Sequence, residues 1–66
     1  MTIIVNGEER VVADALSVSG LLAELGIVGP GVAVEHNLRV LKRADWDATT
    51  LEDGDRLEIV HFVGGG

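Results

Sequence analysis

The sequence predicts one small α+β domain, a single helix packed on a small mixed sheet, from three observations. β-Prone runs stand near both ends of the chain, Thr2-Ile3-Ile4-Val5 and Leu57-Glu58-Ile59-Val60-His61-Phe62-Val63. Between them one stretch carries a helical stripe: Val18, Leu21, Leu22 and Leu25 fall at i, i+3, i+4 and i+7. With 66 residues, 47% of them apolar, the chain has material for one core and no second domain. A helix this short does not persist alone, so it needs the sheet beneath it.

The elements follow in order. Thr2 to Val5 forms a strand, and Asn6-Gly7 turns it, because both residues accept positive φ. Glu9-Arg10-Val11-Val12 returns as its antiparallel partner. Ser17 is placed to cap the helix and Gly26 to end it in a left-handed conformation. Gly20 weakens the helix interior by up to about 1 kcal/mol relative to alanine. Gly29-Pro30-Gly31 breaks the chain into a loop. Gly31 to Glu35 reads as a strand, His36-Asn37 as a turn, and Leu38 to Leu41 as the strand that completes a second hairpin. From Lys42 to Thr50 the pattern is irregular, with Trp46 as its apolar anchor. Leu51 to Asp55 is a turn and Arg56 to Val63 the last and longest strand. Residues 1–63 thus form the domain and 64–66 a flexible glycine tail.

Composition narrows the function. Eleven acidic residues against five basic ones give a formal charge of −6. That charge repels phosphate backbones and anionic lipid, which argues against nucleic-acid and membrane partners and suits a basic groove on a protein. Without cysteine, neither a disulfide framework nor a thiolate-held metal can support the fold. The opening apolar run is too short for a signal peptide and lacks a basic lead, which leads us to expect a cytoplasmic protein.

Catalytic side chains are scarce. His36 and His61 have no cysteine to pair with, and Ser17 and Ser19 stand at the helix start, where capping accounts for at least one of them. Asp53-Gly54-Asp55 has the look of a tight turn and lacks the spacing of a calcium loop, so no metal site is expected. The C-terminal Gly64-Gly65-Gly66 follows a strand but leads into no helix, which removes the phosphate-loop reading. What remains is the backbone itself. A tail without side chains can thread a narrow cleft, and from Val63 onward it reaches roughly 10 Å at about 3.4 Å per extended residue. Strand alternation sets Ile3, Val5, Leu57 and Ile59 toward the helix and gathers Ile4, Val60 and Phe62 on the open face. An apolar patch beside such a tail marks a docking surface for a partner.

Several stretches resemble the thiamin-biosynthesis sulfur carrier (ThiS) family. They are Ile3-Ile4-Val5-Asn6-Gly7-Glu8, the helix Val18 to Leu25, Val32-Ala33-Val34-Glu35-His36-Asn37, Arg43 with Trp46, Asp53-Gly54-Asp55, and the terminal Ile59 to Gly66. The resemblance runs the length of the chain and implies a ubiquitin-like β-grasp fold. It also implies that the chain is a carrier rather than an enzyme. An adenylating, E1-like partner would use ATP to activate the carboxylate of Gly66, with Gly65 beside it and Gly64 extending the tail. Sulfur from a cysteine desulfurase system would convert that carboxylate to a thiocarboxylate, and thiazole synthase would consume it. The carrier itself would bind no cofactor. Two other readings of the same fold are a molybdopterin-synthase small subunit and a ubiquitin-like protein modifier joined to lysine. A third is a regulatory ligand-binding module with no tail chemistry.

Overall fold

The computed structural model describes residues 1–62. Strands β1 (Thr2–Val5) and β2 (Glu8–Val11) form the first hairpin, helix α1 (Val18–Glu24) follows, and β3 (Val32–His36) and β4 (Arg39–Leu41) form the second hairpin. A 3-10 turn at Arg43–Asp45 precedes β5 (Arg56–His61). The sheet has five strands in the order β2-β1-β5-β3-β4. The last strand therefore lies at its centre, parallel to β1 and antiparallel to β3. Two hairpins closed by one central strand explain why the sheet is mixed.

Local chemistry sets each element. Asn6 and Gly7 both take positive φ, 50° and 82°, as a two-residue hairpin turn requires. The Asn6 side chain adds a second role: its Nδ2 donates to Ile59 O at 3.1 Å and its Oδ1 accepts from Ile59 N at 2.7 Å. It thereby prolongs the β1–β5 ladder past the Val5–Leu57 pair. Ser17 caps α1 by accepting from Gly20 N at 3.0 Å, and Gly26 takes φ +71 just past the helix. A Cβ on Gly20 would lie 2.7 Å from Leu16 Cδ1, the far end of a side chain that can move aside. The second hairpin turns one residue later than its composition suggests. His36 is the last residue of β3, and Asn37 and Leu38 make the turn at φ 50° and 70°. Leucine is a poor residue for the left-handed region, which is why the sequence points to His36-Asn37 instead.

The core lies between α1 and the sheet. Ile3, Val34, Leu57 and Ile59 meet Val18, Leu21 and Leu22 there, joined by Val12, Leu51 and Trp46. Trp46 anchors the irregular segment as its position suggests: its indole Nε1 donates to Leu41 O at 3.0 Å. Arg43 lies over its ring at 4.5 Å and donates to Gly29 O at 2.8 Å, tying the loop before β3 to the same corner.

The open sheet face as a candidate functional site

The face of the sheet turned away from α1 is built from the alternate positions of the strands. Ile4 from β1 lies beside Arg56 of β5, and Ala33 of β3 stands opposite Val60. Beyond the Val32–His61 pair, Phe62 N donates to Gly31 O at 2.8 Å. Val60 and Phe62 are 48% and 67% exposed, so neither is spent on the core, while Ile4 is half-buried. Val40 of β4, paired with Glu35, extends the apolar surface on one side, and Val11 of β2, paired with Thr2, extends it on the other. Both valines are exposed. The three residues expected to dock a partner, Ile4, Val60 and Phe62, thus share one face. The same face also holds Val40 and Val11, which the pairing register places there.

Charge frames the apolar surface. Glu35 and Glu58 stand directly opposite each other across β3 and β5, and Glu9 lies opposite Ile4. All three glutamates are exposed. Like charges facing each other weaken a strand pair.

Several polar side chains are engaged within the fold. His36 Nε2 lies 2.8 Å from Asp55 Oδ2, and the same carboxylate accepts from Glu52 N at 2.9 Å and from Asn37 Nδ2 at 3.1 Å. Burial alone would raise the Asp55 pKa. The hydrogen bonds from His36, from the Glu52 backbone and from Asn37 outweigh it, together with the His36 charge, and hold the carboxyl below its usual range. Asp55 is therefore a structural hub that fastens the β3–β4 turn to the loop entering β5, a role its place in Asp53-Gly54-Asp55 does not announce. Ser17 and Ser19 lie 3.2 Å from each other at the helix cap, and His61 is exposed at the end of β5. Among the described residues no group of three or more His, Cys, Asp or Glu is gathered to hold a metal. Nor is any helix there long and apolar enough to cross a membrane. Gly64, Gly65 and Gly66, the residues expected to react and to thread a partner, lie outside the described residues. The face just described is the surface from which the chain continues toward them.

Comparison with known proteins agrees with this architecture. Residues 3–66 match the ThiS family. The crystal structure of the thiamine biosynthesis protein ThiS from Geobacter metallireducens superposes with a TM-score of 0.84 at 43% identity, covering 100% of both chains. The sulfur carrier protein ThiS of Bacillus subtilis is 38% identical over 53 residues, 80% of each protein. A thiazole synthase of Paramagnetospirillum magneticum is 44% identical over 66 residues. The chain spans 20% of that thiazole synthase, and the same share of a second one from Magnetococcus marinus at 41% identity. A five-stranded mixed sheet with one helix and an unbroken match through the glycine run have one explanation: the chain belongs to the ThiS family and has its ubiquitin-like β-grasp fold.

Proposed function

We propose that this chain is a sulfur carrier for thiamin biosynthesis, acting as a co-substrate that partner enzymes modify rather than as a catalyst. The observation that supports it most is the match to ThiS along 100% of both chains, joined to an apolar face on the strand that leads to the glycines. On this reading the reacting group is the carboxylate of Gly66. A carboxylate is a poor electrophile, so an adenylating partner first activates it with ATP: a carboxylate oxygen bonds the α-phosphorus and pyrophosphate leaves. Hydrosulfide, released when a thiol reduces the persulfide that a cysteine desulfurase system builds, then attacks the acyl carbon. The bond to the AMP oxygen breaks and a thiocarboxylate remains. ATP belongs to the partner, and the reaction takes place in the cytoplasm.

The division of labour follows from the side chains. Ile4, Val60 and Phe62 dock the domain outside the partner's active site, while Gly64 and Gly65 pass through its entrance because no Cβ obstructs them. Thiazole synthase is the acceptor on this reading. Support comes from the relatives named thiazole synthase, which carry a stretch like this whole chain as 20% of their length. The test is the release of pyrophosphate from ATP by a ThiS-adenylating enzyme. The intact chain stimulates it, and deletion of Gly66 removes the stimulation while the circular dichroism spectrum stays unchanged. Equal release with the truncated chain contradicts the assignment of Gly66.

A further inference from the structure

Gly31 stands where the sheet hands the chain over to the glycine segment. Its carbonyl accepts the Phe62 N–H at 2.8 Å, the last backbone hydrogen bond along this edge of β5 among the described residues. Its φ is +83, and a Cβ built on it would lie 2.6 Å from Phe62 O and 3.5 Å from Phe62 Cβ. The obstacle is backbone, not the far end of a pliable side chain. Any residue other than glycine forces the Gly31 backbone and the Phe62 carbonyl apart, from a 2.6 Å approach to beyond 3.0 Å. That carbonyl belongs to the peptide joining Phe62 to Val63, so its displacement turns the bond from which the reacting segment departs. At the other glycines of positive φ, Gly7, Gly26, Gly29 and Gly54, an added Cβ meets nothing within 4 Å; their need for glycine is conformational alone.

We propose that Gly31 is a positioning residue for the carrier reaction: its missing side chain lets the Phe62 peptide seat against it and so fixes the direction in which the chain leaves the docking face. The proposal rests on the sulfur-carrier reading above. Docking by Ile4 and Val60 sets where the domain sits, and the seat of the Phe62 carbonyl against Gly31 sets how the chain leaves that face at its last described residue. A reacting atom misplaced by about 1 Å costs up to about 100-fold in rate, and a shift of part of that size predicts a loss near tenfold.

Gly54 supplies the control, because its φ of +86 matches that of Gly31 while the space around it is open. Gly31→Ala and Gly54→Ala therefore share the backbone penalty and differ in the collision with Phe62. Gly31→Asn is the second variant, since asparagine tolerates positive φ but carries the same Cβ; it keeps the test alive if Gly31→Ala does not fold. The measurements are adenylation kinetics of the full chain with ATP and its adenylating enzyme, and the amide resonance of Phe62. For the Gly31 variants the expected result is a kcat lower by about tenfold with KM changed less than about threefold, and a shifted Phe62 amide. Gly54→Ala is expected to match the wild type in both. Wild-type kcat in a folded Gly31 variant, or an equal loss in Gly54→Ala, overturns the proposal and leaves the carrier reading standing. A wild-type chain that is not adenylated overturns both, whereas an unmoved Phe62 amide in the Gly31 variants overturns the positioning claim whatever the kinetics.

Discussion

Replacing Asp55 with alanine removes the acceptor that three donors share: Glu52 N, Asn37 Nδ2 and His36 Nε2. Asp55 is 8% exposed, so the Glu52 N–H beside it is left facing protein, at a cost of about 1–3 kcal/mol. His36 is half-buried and Asn37 exposed; water takes over part of their bonds, adding at most about 1 kcal/mol each. The expected loss is about 2–4 kcal/mol. A domain of this size has a total stability of about 3–10 kcal/mol, so the variant sits near the edge of folding. Urea unfolding followed by the fluorescence of Trp46, the single tryptophan, measures it directly. Asp55→Asn keeps one oxygen for the Glu52 N–H and loses less. The pH dependence has a definite sign. Because the folded pKa is lowered, the stabilisation is complete above the unfolded carboxyl value near 3.9 and disappears as pH falls through the lower folded value. Asp55→Asn flattens that acid-side fall. A loss under about 0.5 kcal/mol in Asp55→Ala, within the range of ordinary surface substitutions, would refute the hub.

Other outcomes follow from the same geometry. Phe62→Asp is expected to change stability by no more than about 0.5 kcal/mol, because the ring is exposed, yet to weaken binding to the adenylating partner by about 2 kcal/mol or more in titration calorimetry. An equal loss of both would put the ring in the core. Leu38→Gly relieves a left-handed leucine that is 87% exposed and is expected to raise the unfolding free energy by about 0.5–1 kcal/mol, read as a higher midpoint in urea. Glu35→Gln removes one of two facing carboxylates; it is expected to stabilise the sheet by a few tenths of a kcal/mol and to slow association with the partner, as stopped-flow mixing at low salt would show.

The elements legible in the sequence are those whose residues act locally. Asn6-Gly7, Ser17 and Gly26 suit turn, cap and helix-end positions through their own local chemistry, and the Val18 to Leu25 stripe has one period. Alternation along β1 and β5 suffices to place Ile4, Val60 and Phe62 on one face, since a strand has only two sides. What escapes such a reading is tertiary. Asp55 draws its role from His36 and Asn37, 19 and 18 residues away, and nothing nearby in the sequence distinguishes it from Asp53. The Asn6 side chain closes on Ile59 across 53 residues, beyond what its turn position suggests. Composition sets the second turn at His36-Asn37, one residue early, because the register that pairs His36 with Arg39 places Leu38 at positive φ against its propensity. Gly31 reads as one of several loop glycines until Phe62 is placed against it.

The central claim is chemical, and the intact mass of the chain tests it most directly. After incubation with ATP, its adenylating enzyme and a sulfur source, the carrier account predicts a gain of about 16 Da, one oxygen exchanged for sulfur at the activated acyl group, and no gain when Gly66 is deleted. An unchanged mass, or a ladder of adducts joined to lysine in its place, would contradict it.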